Sequence, residues 1–243
     1  MGTSLKTLFL MGLLALFIGQ NQARAENGGP VVVELFTSQG CSSCPPADRY
    51  LNELADRDDI LALSLHVDYW DYIGWKDPFS SPAYTRRQRE YLSRFDLRYV
   101  YTPQMVIQGA AQAQGADRST VDELIKKLHG QDKAAVGLGP GPRPGTLAIT
   151  LPVPFTENVR VLLLTYDRKH LTSIKRGENE GLKLVNRNVV RSMETLQGWR
   201  GTAAFTTAMP DSGAGTGGAA VLVQSIETGR ILGAARFDFK GGR

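Results

Sequence analysis

Cys41 and Cys44 are the two cysteines of this 243-residue chain, and two residues separate them. They follow an apolar run, Val31 to Phe36, that predicts a buried β-strand. Pro45 and Pro46 come next and fit the first turn of a helix, where their missing N–H groups are not needed. Backbone N–H groups at a helix start favour a thiolate. We predict a redox pair in which Cys41 attacks and Cys44 resolves the mixed disulfide.

This prediction carries two expectations about Cys41. Its sulfur should be more accessible than that of Cys44, and its pKa should lie below the roughly 8.5 of a free thiol.

Two structural alternatives stay open for this pair. A disulfide closing so short a loop would contribute only about 2 kcal/mol in the chain-entropy model. A zinc site would need two more ligands, and His66, His129 and His170 show no ligand-like spacing. We predict no metal site and no cofactor.

The first 25 residues have the pattern of a secretory signal peptide. Lys6 precedes an apolar core, Leu8 to Ile18, and Ala23-Arg24-Ala25 fits a cleavage site before Glu26. The core is too short to span a bilayer, for which about 20 apolar residues are needed. We therefore expect an exported protein, periplasmic or secreted, with no membrane anchor after cleavage, in a compartment where disulfides persist.

Charge says little about partners once this segment is removed. The remaining chain has 26 basic and 24 acidic residues, without a basic run or stripe. This pattern argues against a nucleic-acid partner. The partners that we expect are exported protein thiols or disulfides.

The hydrophobic pattern predicts two domains. Residues 26–136 alternate strands and helices, whereas 137–145 hold seven Gly or Pro in nine positions and predict a linker. Residues 146–243 predict a β-rich sandwich or barrel with a Gly-rich loop at 211–218. The predicted elements of the first domain after the cysteines are a helix capped by Ser42 or Ser43 and reaching Asp56, a strand Ile60–Val67, a helix Ser81–Phe95, a strand Met105–Gln108 and a helix from Ser119 to His129.

The first domain resembles thioredoxin, with a C-x-x-C after a central strand and Thr102-Pro103 before a later one. The chain is also similar to an exported thioredoxin-like family catalogued as a domain of unknown function, number twelve twenty-three in its series. The segments that carry this similarity are Glu34 to Asp48, His66 to Tyr72, Gly74 to Pro78, Tyr101 to Met105 and Arg176 to Asn179. The resemblance implies an α/β thioredoxin-like N-terminal domain, a redox role for Cys41 and Cys44, and a cis Pro103 against the sulfurs.

Glu34 is our candidate for the buried acid or base that moves the proton of Cys44. It lies seven residues before Cys41 on an otherwise apolar strand. The alternative is a structural glutamate paired with an arginine.

The other candidates surround the predicted cleft. The segment from Asp68 to Phe79 is either a substrate-facing lip or an aromatic cluster under a loop. As a lip it would bind substrate through Asp68, Trp70 and Trp75, together with Thr102. His66 is either structural or functional, the latter including a soft metal such as Cu(I). Composition assigns one further polar group to a solvated loop, and the resemblance makes it a possible interdomain or ligand contact: Arg176, Glu178, Asn179, Asn188 and Arg191.

The leading hypothesis is an exported thiol-disulfide oxidoreductase. Its rival is a non-catalytic module that uses the cleft to bind copper or a peptide.

Overall fold

The computed structural model describes residues 29–196, 201, 203–209 and 215–239. The predicted signal peptide and residues 211–214 of the predicted Gly-rich loop lie outside these ranges. Within them, no helix has both the length and the apolar character that a membrane span requires.

Three helices and eleven strands form the described part of the chain. The helices are α1 Pro45–Leu54, α2 Pro82–Arg94 and α3 Arg118–His129. The strands up to the middle of the chain are β1 Val31–Thr37, β2 Ile60–His66, β3 Gln104–Ile107, β4 Ala111–Gln114, β5 Gly137–Pro140 and β6 Thr146–Thr150. The later strands are β7 Val159–Ser173, β8 Lys183–Thr195, β9 Ala204–Ala208, β10 Gly218–Ser225 and β11 Ile231–Asp238.

Eight strands form one mixed sheet in the order β11-β10-β7-β8-β2-β1-β3-β4, and β5-β6-β9 form a small second sheet. Strand β2 lies parallel to β1 and also to β8, where Ser64 is opposite Val189. The remaining pairs in the large sheet are antiparallel. Strands from before and after residues 137–145 therefore share one sheet.

The predicted fold class is wrong. The protein is mostly β, with three short helices and one large mixed sheet, rather than an α/β thioredoxin-like domain followed by a β sandwich or barrel. The physical reason is β8, which covers the edge of β2 that the prediction left free. Within the predicted linker, Gly137–Pro140 forms β5 and pairs with β6. The division into two domains stays a prediction.

The sheet has two differently covered faces. Side chains alternate along a strand, so Val31, Val33 and Leu35 pack towards α1 and α3. Val32 and Phe36 point to the other face, where α2 packs. This alternation decides which polar residues can approach the cysteines, because α1 begins directly after Cys44.

Candidate functional site

Cys41 and Cys44 form a disulfide at the start of α1, with their Cα atoms 5.4 Å apart. The backbone N–H of Cys41 donates to the carbonyl of Ser38, and that of Cys44 donates to the carbonyl of Cys41, at 3.1 and 3.2 Å. Cys44 itself is the N-cap residue of α1, so the predicted cap at Ser42 or Ser43 is wrong. The two prolines stand in the first helical turn, as predicted.

Both cysteines are buried in the disulfide. The greater accessibility of the Cys41 sulfur over that of Cys44 stays a prediction. Cys41 is 1% exposed and Cys44 is not exposed. The turn between β7 and β8 is hydrogen-bonded to the backbone around Cys41. Within this turn, Asn179 Nδ2 donates to the carbonyls of Gln39 and Cys41, both at 2.9 Å. The carboxylate of Glu178 accepts the N–H of Ser42 at 3.2 Å.

The Thr102–Pro103 peptide bond is cis, as the resemblance implied. This segment lies beside the disulfide turn. The hydroxyl of Ser43 is 3.3 Å from Cys41 Sγ and 3.5 Å from the carbonyl oxygen of Thr102.

Trp70 and Trp75 also lie at this site, and Asp68 does not. The indole N–H of Trp70 donates to Thr102 Oγ1 at 2.7 Å, and that of Trp75 donates to Gln39 Oε1 at 3.2 Å. The carboxylate of Asp68 instead accepts the hydroxyl of Thr85 on α2. The two tryptophans thus brace the segments on either side of the disulfide. A substrate-binding role for them stays a prediction.

Glu34 lies on the opposite face of the sheet from α1. It is fully buried, and its carboxylate pairs with the guanidinium of Arg87 and accepts the hydroxyl of Tyr91, both on α2. Burial, together with the neighbouring Glu34 carboxylate, raises the pKa of Tyr91 well above its usual range. This is the arginine-paired arrangement that the sequence left open, and the geometry does not bring Glu34 to Cys44.

A second buried carboxyl, Asp48, lies on the face of the cysteines. It is one helical turn after Cys44, and its N–H donates to the Cys44 carbonyl at 3.0 Å. Residues four apart lie on one face of a helix, so the Asp48 side chain is below Cys44. Asp48 Oδ1 accepts the hydroxyl of Thr37 at 2.9 Å, and Asp48 Oδ2 has no hydrogen-bond partner among the described residues.

The side chain of His66 points to the face of the sheet on which the cysteines lie. Thr37 and His66 are opposite each other in the parallel β1–β2 pair, so their side chains point to one face. His66 Nδ1 is 2.7 Å from Asp77 Oδ2, and both side chains are fully buried. Asp77 is fixed in turn by the N–H groups of Gln39 and Phe79, at 2.7 and 2.9 Å. A carboxylate that holds one ring nitrogen sets the orientation of the other.

Burial and charge shift the pKa values of these three groups. Burial raises the pKa of Asp48 to about 6, although the charge of His66 and the hydroxyl of Thr37 oppose the rise. Burial alone would lower the pKa of His66, but the carboxylate of Asp77 outweighs it and the pKa lies above the usual value. Burial acts to raise the pKa of Asp77, and the charge of His66 outweighs it, so this pKa is lowered.

The buried polar side-chain atoms that lack a hydrogen-bond partner in the described chain all belong to this region. We call it the polar layer, formed by α1, the β2 strand and β8. Its unpartnered atoms are Asp48 Oδ2, Asn52 Oδ1, Ser64 Oγ, His66 Nε2 and Asn186 Nδ2. Leaving a buried polar atom unpaired costs about 1–3 kcal/mol. Five such atoms in one layer mark a polar interior between α1 and the strands that it covers.

The predicted group of polar residues in the second half of the chain is divided by the structure. Glu178 and Asn179 contact the segment around Cys41, as described above. Asn188 and Arg191 lie within β8 rather than in a solvated loop. Asn188 Nδ2 donates to the carbonyl of Ala62, and Arg191 Nη1 donates to Asp167 Oδ2, at 2.9 and 3.0 Å.

Among the described residues, no group of three or more His, Cys, Asp or Glu side chains is arranged to hold a metal ion.

The sequence pattern assigns no role to Asp48 or Asp77, whereas the resemblance places Asn179 in an interdomain or ligand contact. One signal was present for Asp48, whose position four residues after Cys44 places both on one helical face. Asp77 and Asn179 meet the cysteine segment only through tertiary structure.

The fold and the site together define a mostly β protein whose C-x-x-C disulfide begins a helix above a buried polar layer. Residues 32–224 match the family model described as a protein of unknown function, DUF1223. The chain belongs to this family, as its sequence motifs predicted.

Two solved structures are similar to the chain. A crystal structure of a protein from Agrobacterium tumefaciens has 30% sequence identity and a TM-score of 0.73, covering 90% of this chain and 98% of that one. HBP35 of Porphyromonas gingivalis has 13% identity and a TM-score of 0.56, covering 89% of this chain and 77% of that one, a likeness of fold alone. No curated protein matches this sequence.

Proposed function

We propose that this protein is an exported thiol-disulfide oxidoreductase that exchanges the Cys41–Cys44 disulfide with partner thiols. The observation that carries the proposal is Asp48, a buried carboxyl with a pKa of about 6 one helical turn below Cys44. A disulfide that only braced the fold would need no titratable carboxyl beneath it. A group that gains and loses a proton near neutral pH suits the resolving thiol.

In the oxidising direction, a partner thiolate attacks Cys41 Sγ and forms a mixed disulfide. The Cys41–Cys44 bond breaks, and Cys44 leaves as a thiolate that takes up a proton. A second partner thiolate then attacks the partner sulfur of the mixed disulfide, and Cys41 leaves as a thiolate. The partner pair is oxidised by two electrons and the protein pair is reduced by two.

The reverse direction needs a base at Cys44, whose thiol must lose its proton before it resolves the mixed disulfide. At pH 7 a carboxyl with a pKa of about 6 is mostly ionised and can accept that proton. The imidazole of His66, held by Asp77, faces the same layer and favours the charged form of Asp48.

Equilibration in glutathione buffers tests the proposal. The fraction of alkylatable Cys41 and Cys44 is measured by mass spectrometry as the ratio of reduced to oxidised glutathione is varied. We expect one reversible two-electron transition with the protein folded throughout. A disulfide that opens only when the protein is denatured would refute the proposal and favour the binding-module alternative.

A further inference from the structure

The turn between β7 and β8, residues 174–182, packs against the backbone of the segment that carries the attacking sulfur. It is a closed unit, since the N–H of Ile174 donates to the carbonyl of Leu182 and the N–H of Gly181 donates back to Ile174. The N–H of Leu182 also donates to the carbonyl of Asn179 at 3.1 Å. Such a turn can move as one body about the ends of its two strands.

The turn is fastened to the cysteine segment by side chains. Both hydrogen bonds from the amide of Asn179 go to backbone carbonyls, those of Gln39 and Cys41. Asn179 is 3% exposed, so these bonds are shielded from water. Glu178 adds a third, more exposed bond to the N–H of Ser42.

Gly177 lets the turn approach the aromatic segment closely. Its φ is +80°, and a Cβ there would lie 3.2 Å from the carbonyl oxygen of Ile73 and 3.2 Å from Trp75 Cβ. Trp75 in turn donates to the side chain of Gln39. The turn, the aromatic segment and the residues before Cys41 thus form one packed cover.

The geometry points to Asn179 as the residue that determines which thiols reach Cys41. With the turn in place, Cys41 is 1% exposed. A small thiol can reach its sulfur after a local fluctuation of the turn. A folded protein must displace the whole turn to bring its own thiol there. The partner class selected by this cover is low-molecular-mass thiols and disulfides. This inference rests on the proposed exchange activity and names its substrate class.

The test compares two thiols of similar chemistry and different size, 2-mercaptoethanol and a methoxy-polyethylene-glycol thiol of several kilodaltons. Rates of attack on the native disulfide are divided by the rates of the same thiols with oxidised glutathione. For the unmodified protein we expect a normalised rate at least about tenfold lower with the large thiol.

Asn179→Ala removes both hydrogen bonds that the side-chain amide donates. Each of them shifts the equilibrium between the closed and the displaced turn by roughly fivefold. We expect the normalised rate with the large thiol to rise by up to about 25-fold, the product of the two factors, and that with 2-mercaptoethanol to rise much less. Glu178→Ala removes the exposed bond, leaves the buried amide in place, and should give a smaller change of the same kind. Asn158→Ala is the matched control, since the side chain of Asn158 bonds the exposed side chain of Glu227 and its loss should leave the size ratio unchanged.

Equal normalised rates for the two thiols in the unmodified protein would overturn the size selection and leave the exchange activity standing. The same would follow if Asn179→Ala and Glu178→Ala changed the ratio no more than Asn158→Ala. A native disulfide that reacted with neither thiol would refute both the activity and this inference.

Discussion

Replacing Asp48 with asparagine should make the protein more stable at neutral pH. The folded state raises the pKa of this carboxyl from 3.8 to about 6 because the side chain is fully buried. A carboxyl with a raised pKa holds its proton more tightly in the folded protein than in the unfolded chain. Its ionised form therefore opposes folding, in full above pH 6 and not at all below about pH 4.

The shift from 3.8 to about 6 corresponds to about 3 kcal/mol at 1.36 kcal/mol per pKa unit. The asparagine side chain carries no charge at any pH. We thus expect the Asp48→Asn variant to gain about 2–3 kcal/mol over the unmodified protein at pH 7 and close to nothing at pH 4. The charged groups that act on Asp48 are His66, Asp77 and Arg49. All three remain in the variant.

Urea unfolding at a series of pH values between 4 and 8, with the disulfide kept oxidised, measures this difference. Asp58→Asn serves as the control, because Asp58 is exposed and pairs with Arg236 at the surface; its effect should stay within about 0.5 kcal/mol. A gain from Asp48→Asn that is equal at pH 4 and pH 7, or a loss at pH 7, would refute the proposed burial of a titrating carboxyl.

Three further predictions concern the cysteines, the buried Glu34–Arg87 pair and residues 137–145. Cys44→Ser should accumulate a mixed disulfide between Cys41 and a low-molecular-mass thiol such as glutathione, read as added mass by intact mass spectrometry, and Cys41→Ser should accumulate almost none. Glu34→Gln should cost about 3–5 kcal/mol in urea unfolding because it leaves Arg87 buried without its counterion, while the pH dependence of thiol exchange stays unchanged. Protease cleavage near Arg143 should leave two fragments that co-elute in size-exclusion chromatography until denaturant is added, because β2 pairs with β8; fragments that separate in buffer would contradict this.

The first half of the chain was predictable because its elements are strongly patterned. The run from Val31 is buried at every position, and Pro45 and Pro46 mark the start of α1. Strand β8 was missed for the opposite reason. It carries polar residues such as Asn186 and Asn188 at positions that the fold buries, so its hydrophobic pattern is weak. Without β8, the sequence pattern did not place strands from both halves of the chain in one large sheet.

The same cause explains the errors at the site. The apolar run around Glu34 predicts that this residue is buried but does not show which face of the sheet the cysteines occupy. On the proposed function, Asp48 is the proton acceptor, and its helical spacing from Cys44 was available in the sequence. The cover over Cys41 could not be predicted from the sequence, because Asn179 lies 138 residues away along the chain. A contact of that range depends on the pairing of β7 with β8.

The polar layer and the cover act on opposite sides of the disulfide. Below it, Asp48 and the other unpartnered atoms lower the stability of the fold, since an apolar layer of the same volume would avoid both the raised pKa and the unpaired groups. Above it, Asn179 limits access to Cys41. A disulfide that only stabilised the fold would need neither feature. Closing so short a loop also contributes little to the free energy of unfolding. On the proposed function, Asp48 is the proton acceptor for Cys44, and Asn179 restrains the path by which a thiol reaches Cys41.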